Sequence, residues 1–177
     1  MDYEFAGLPV HVLLVHVVIV GIPLLAALLV VIAAWPSARR VLWLPAVVGA
    51  FALLGITYLT IEAGKWLEQR VPAAPLIQEH TAQGEDIIPW LIALVTVSAL
   101  LSALAIVELM QRRRAAADEH TTDAAAPRGR GARIIVTALL TVAALGVGAG
   151  AMWTIVRIGE AGSRAVWEGS FSETPLD

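Results

Sequence analysis

The stretch from residue 10 to residue 35 reads VHVLLVHVVIVGIPLLAALLVVIAAW and contains no Asp, Glu, Lys or Arg. A helix that crosses about 30 Å of hydrocarbon needs about 20 predominantly apolar residues. The run is long enough for that. Three more of the same kind follow, Val41–Ile61, Ile87–Met110 and Ile134–Ile158. Strands of a membrane barrel would instead alternate over segments of about ten residues. The expected fold class is therefore all-α, a four-span antiparallel transmembrane helix bundle. Short connections place consecutive helices side by side in up-down-up-down order. Residues 1–177 read as a single transmembrane domain, with spans at about 10–35, 41–61, 87–110 and 134–158.

Composition supports the same conclusion. Of the 177 residues, 58% are hydrophobic and 15% charged, with a mean hydropathy of +0.77. Soluble domains lie near 45–50% apolar and about 25% charged. A soluble single domain, a disordered chain and a nucleic-acid binder with a basic face are all poor fits. The absence of cysteine excludes disulfides, thiolate metal sites and iron–sulfur ligation by this chain. The leader Met1-Asp2-Tyr3-Glu4 is acidic, and the run behind it is too long for a cleaved signal, so it reads as a retained span.

Lys and Arg set the expected orientation. Arg39 and Arg40 fall in the first connection, and Arg112, Arg113, Arg114, Arg128, Arg130 and Arg133 in the third. The second connection has Lys65 and Arg70, and the tail has Arg157 and Arg164. Both termini are expected on the non-cytoplasmic side of the cell membrane. Trp35 and Trp43 then mark the inner interface, and Trp66, Trp90, Trp153 and Trp167 the outer one. Residues 111–133, with their Ala and Arg-Gly repeats, read as a flexible cytoplasmic linker, and their arginines as a topogenic signal or a contact with anionic lipid.

Prolines and glycines suggest how the spans are shaped. Pro45 and Pro89 fall in first helical turns, where a missing N–H costs little. Pro23 lies mid-span, where it should kink the helix and free the carbonyl of Ile19. Ala144-x-x-x-Gly148 and Gly146-x-x-x-Gly150 provide small residues for close helix packing inside the bundle or between two copies.

Ionisable groups are missing from the middles of all four spans. Ion-coupled transport and proton pumping usually need one there. The candidate chemistry lies at the outer rim instead. His11, His16 and His80 fall on that side, and only His120 falls in the inner linker. Glu62, Glu79, Glu85, Asp86 and Glu160 lie at a similar level. His11 and His16 are five residues apart, roughly 140° around a helix, so one straight helix does not aim both at one point. His16, about a turn and a half inside the lipid boundary, is the better inward candidate, where an unpaired imidazole would be costly. Spans two and four end alike, in Glu62-Ala63-Gly64 and Glu160-Ala161-Gly162, each followed by Trp and Glu. That likeness suggests an old duplication of a two-helix unit. Each odd span would bring a histidine and each even span a glutamate.

The expected ligand set is therefore His16, His80 and His11 for a cofactor, with His16, His80, Glu62 and Glu160 for a metal. Imidazole with carboxylate suits zinc, copper, iron or manganese. Two histidines on facing helices suit one haem b. The same groups could also be structural hydrogen bonds, or an acid sensor. No tight metal motif is present. Ser163, Ser170 and Ser172 have no histidine close in sequence, so no catalytic residue is assigned and a hydrolase ranks last.

The opening Gly7-Leu8-Pro9-Val10-His11-Val12-Leu13-Leu14-Val15-His16 resembles the start of a bacterial membrane-protein family, domain of unknown function 2231. Members of that family often begin Gly-x-Pro-x-His-Pro-x-Leu-Val-His-Phe-Pro and have four spans. Val12 stands here in place of the usual Pro, and Val17-Val18 in place of Phe-Pro. By motif, His11 and His16 carry over. The resemblance implies a link to haem or redox proteins and no settled activity. Two functions are thus expected in competition. One is a redox or metal-binding membrane protein. The other is a non-enzymatic accessory or structural subunit of a membrane complex. The expected partners are the lipid bilayer, a membrane-complex or redox partner, or a second copy of the chain, and no nucleic acid.

Overall fold

The computed structural model describes residues 2–118, 130–170 and 172. Four long helices, each apolar enough to cross a membrane, form the bundle. Helix α1 spans Val10–Ala34, α2 Pro36–Glu68, α4 Ile88–Asp118 and α5 Arg130–Trp167. A short helix α3, Pro75–Gln83, and a 3-10 turn, Gly84–Ile87, lead into α4. Helix α1 packs on α2 and α5, and α4 packs on the same two, so the order around the bundle is α1, α2, α4, α5. The direction of the chain alternates. One end carries the start of α1, α3 and the end of α5 (the histidine end). The other carries the turn between α1 and α2 (the arginine end).

The apolar windows have mean hydropathies of 2.0 to 3.0, yet only 17–39% of each window is buried inside the bundle. Val20, Leu24, Val41, Tyr58, Trp153 and Val156 all face outward. In water such a surface would drive aggregation. In hydrocarbon it costs nothing, and helices satisfy their own backbone groups there. The core is a narrow stack along the axis, with Val18, Ile22, Leu29 and Ile32 from α1, Ala46, Ala50 and Leu53 from α2, Leu91, Leu94 and Leu101 from α4, and Ala144, Ala151 and Ile155 from α5.

Small residues set the helix spacings. A Cβ on Gly21 would lie 2.8 Å from Leu53 Cδ1, and one on Gly150 would lie 2.1 Å from the Trp90 ring. Gly21 and Trp90 each lie ten residues after a histidine, His11 and His80. The two halves thus make related contacts with the sizes exchanged, small on α1 against large on α2, then large on α4 against small on α5. A Cβ on Gly148 would lie 3.1 Å from Ala26 Cβ of α1. Both Gly148 and Gly150 are therefore used inside the bundle, and only Gly146 of that series meets open space.

Several sequence expectations need correction. The first connection is shorter than Pro36–Arg40, because α2 begins at Pro36 and only Trp35 lies outside helix. Proline is preorganised for the first helical position, which explains the abrupt restart. The linker is also shorter than 111–133, since residues 111–118 and 130–133 are helical. The rest of it, with His120, lies outside the described residues. Pro23 falls inside α1, mid-span as expected. A two-strand hairpin, Glu4–Phe5 with Leu8–Pro9, precedes α1, and its turn places Ala6 and Gly7 at φ 51° and 79°. Positive φ at both central residues is what a tight hairpin turn of this hand requires.

The least expected element is Arg39. Read from sequence as a topogenic charge, it is fully buried at the arginine end. Its Nη2 donates to Glu108 Oε1 at 2.8 Å and its Nε to Oε2 at 3.3 Å. Its Nη1 donates to the carbonyls of Ile32 and Ala33 at 3.0 and 2.9 Å. One guanidinium therefore closes the carbonyl end of α1 and ties α2 to α4. Breaking a buried pair by removing one partner leaves an uncompensated charge, at about 3–5 kcal/mol. Arg39→Ala or Glu108→Ala should lower unfolding stability in detergent by that order, while Arg40→Ala, on the exposed neighbour, should change it by less than about 0.5 kcal/mol.

Candidate functional site

The histidine end brings two imidazoles together from opposite corners of the bundle. His11 stands in the first turn of α1, and His80 stands on α3. Their ring centroids are 6.1 Å apart and their planes are inclined at 74°. His11 Nδ1 lies 2.9 Å from the carbonyl oxygen of Thr60 on α2. His80 Nδ1 lies 3.1 Å from the carbonyl oxygen of Ile158 on α5. A carbonyl only accepts, so each Nδ1 carries the proton and donates it. In a neutral ring each Nε2 then keeps its lone pair. Both rings are half-buried.

His16 is placed differently from the expectation. It is exposed, and its Nδ1 donates to the Val12 carbonyl of its own helix at 2.8 Å. The residues of α1 that face the core are Val18, Ile22, Leu25, Leu29 and Ile32. His11 stands seven residues before Val18 and shares its face, whereas His16 is two residues away and falls on the far side. The pair at this end is therefore His11 with His80, and His16 points out of the bundle.

The two glutamates are engaged on the rim. Glu62 accepts from Lys65 at 3.1 Å, and Lys65 also bridges to Glu85 at 2.7 Å. Glu160 pairs with Arg164 at 2.7 Å, and Asp86 pairs with Arg157. Among the described residues, no three or more His, Asp or Glu side chains gather in a way that could hold a metal ion. Among the described residues, the arrangement thus offers the two imidazoles without a cluster of three such ligands.

No family model matches the chain, and no curated protein or solved structure matches it either. The site has to be read from its own geometry.

Two further groups belong to this end and escaped the sequence reading. Tyr3 of the hairpin packs edge-on against Trp66, with ring centroids 6.4 Å apart, and the Arg70 guanidinium lies 3.9 Å over the same indole. The backbone N–H of Val10 donates to the Tyr3 carbonyl at 2.9 Å. The hairpin thereby covers the start of α1 next to His11 and satisfies one of its free N–H groups. Thr57, 2% exposed, lies one turn deeper than Thr60 on the same face of α2 and has a hydroxyl with no partner. The hairpin has no Asn-Gly signal, which is why the sequence did not announce it.

The hydrogen bonds separate the three histidines energetically. A buried hydrogen bond between elements contributes about 0.5–1.5 kcal/mol. His11→Ala and His80→Ala should each lower unfolding stability in detergent by about 1 kcal/mol or more, through the lost tie to α2 or α5. His16→Ala should stay within about 0.5 kcal/mol of the parent protein.

Proposed function

We propose that this chain is a multi-pass protein of the cell membrane, with both termini on the non-cytoplasmic side, that uses His11 and His80 to hold one metal-centred redox cofactor at that face. The observation that carries the reading is the pair of imidazoles 6.1 Å apart, each with Nδ1 committed to a backbone carbonyl. Metal-bound histidines almost always donate their other N–H to a carbonyl or carboxylate, which fixes tautomer and orientation. The donor set fits such a group in that each ring commits Nδ1 to the scaffold and keeps Nε2 off it.

A site with two protein donors favours a metal that brings its other ligands with it. Haem iron does so: the porphyrin would bring most of the iron's ligands, and His11 and His80 would hold it. When bound, such a group supplies one-electron exchange. The Thr60 and Ile158 carbonyls would fix the two rings that hold it. Membership in the family that the opening motif resembles is part of this proposal, with His11 as the carried-over ligand and His16 replaced in that role by His80.

A second reading, an accessory subunit without a cofactor, draws on α5. Its apolar window is the least buried of the four, at 17%. That leaves a long face for another membrane helix, from a complex or from a second copy.

An absorption spectrum with elemental analysis of the purified full chain distinguishes the two. The expected result is a Soret band and iron at one per chain, lost in His11→Ala and His80→Ala and kept in His16→Ala. A flat Soret region with substoichiometric iron, copper and zinc overturns the cofactor reading.

A further inference from the structure

Both histidines of the pair sit in notches made by glycine. A Cβ built on Gly64 of α2 would lie 2.9 Å from His11 Nδ1 and 3.1 Å from its Cε1. A Cβ built on Gly162 of α5 would lie 2.9 Å from His80 Cε1 and 3.1 Å from its Nδ1. The 2.9 Å approaches are closer than real Cβ contacts and the 3.1 Å ones are tight, so an alanine at either position must shift the ring. In each case the carbonyl that receives the Nδ1 proton belongs to the residue four before the glycine, Thr60 before Gly64 and Ile158 before Gly162. On a helix those positions lie one above the other. The two halves of the bundle therefore repeat one device. A bare helix turn admits an imidazole edge-on, and the carbonyl of the turn below takes its proton.

We infer that Gly64 and Gly162 are the positioning residues of the two-histidine site. They admit the rings close enough for the Thr60 and Ile158 carbonyls to hold both as Nδ1–H tautomers, each keeping an Nε2 donor for the ligand atom. The inference rests on the cofactor reading above for what that ligand is, and on the geometry alone for the tautomer. The matching device in both halves means that neither histidine is an incidental neighbour of the other. Loss of either notch removes half of the donor set.

The helical context gives clean controls. A Cβ on Gly55 of α2 or Gly159 of α5 meets nothing within 4 Å. Gly55→Ala and Gly159→Ala alter helix propensity in the same two helices without touching a ring.

Two measurements test the inference on the full chain in detergent. The first is ¹⁵N NMR of labelled histidine in protein prepared without added haem. Protonated and unprotonated ring nitrogens are well separated there. The parent protein should show His11 and His80 with Nδ1 protonated and Nε2 bare, and Gly64→Ala and Gly162→Ala should each lose that signature for one ring. The second is titration with ferric haem, followed at the Soret band. Each of those two variants should bind about 10–100-fold more weakly, the usual cost of disturbing a group that orients a metal ligand. Gly55→Ala and Gly159→Ala should bind as the parent does. Nε2–H tautomers in the parent overturn the inference whatever the haem result. Haem affinity in Gly64→Ala and Gly162→Ala equal to the parent's also overturns it. The expected tautomers, lost in the two variants, together with no haem binding by the parent, sustain the positioning role and overturn only the cofactor reading.

Discussion

Hydrocarbon cannot hydrogen-bond a peptide group, and that constraint governs the whole molecule. Each backbone N–H and C=O within the apolar windows has to be satisfied inside its own helix. Four uninterrupted helices follow, and the helices are then held together by contact, since lipid offers no hydrophobic drive between them. Glycine and alanine carry that burden, with Gly21 under Leu53, Gly148 under Ala26 and Gly150 under Trp90. Strong polar ties join the helices at the two ends of the apolar stack. The imidazoles bond to Thr60 and Ile158 at one end, and the guanidinium of Arg39 sits on Glu108 at the other.

The two ends use their polar groups in opposite ways. At the arginine end every contact of the buried pair is internal, and Arg39 spends four of its donor positions on Glu108 and the last carbonyls of α1. At the histidine end each imidazole uses one nitrogen on the scaffold and keeps the other. The first pattern belongs to a structural joint. The second leaves donor capacity for something else to take up.

The fold was legible because membrane spans announce themselves by length and hydropathy. The site was legible only in part, and the reason is the same. A span that faces lipid is apolar all round, so its core face leaves little trace in composition. Nothing in Val10–Ala34 distinguishes buried Val18 and Ile22 from exposed Val17 and Val20. The depth of His16 in the run suggested an inward ring, but facing is a matter of phase, and phase appears only once α1 is packed. The repeated Glu-Ala-Gly marks the two turns that pack on the rings, through Gly64 against His11 and Gly162 against His80, while its glutamates pair with Lys65 and Arg164. Arg39 and Arg40 read as an equivalent basic pair, and only the position of Glu108 on α4 separates them.

The buried guanidinium also bears on biogenesis. With Trp35 alone between them, α1 and α2 must enter the bilayer as one hairpin. At that moment Arg39 has the α1 carbonyls but no counter-charge, because Glu108 belongs to a segment translated 69 residues later. The carboxylate that pairs with it comes only with the third crossing. Arrival of the third crossing and neutralisation of the bundle's buried guanidinium are thus one event.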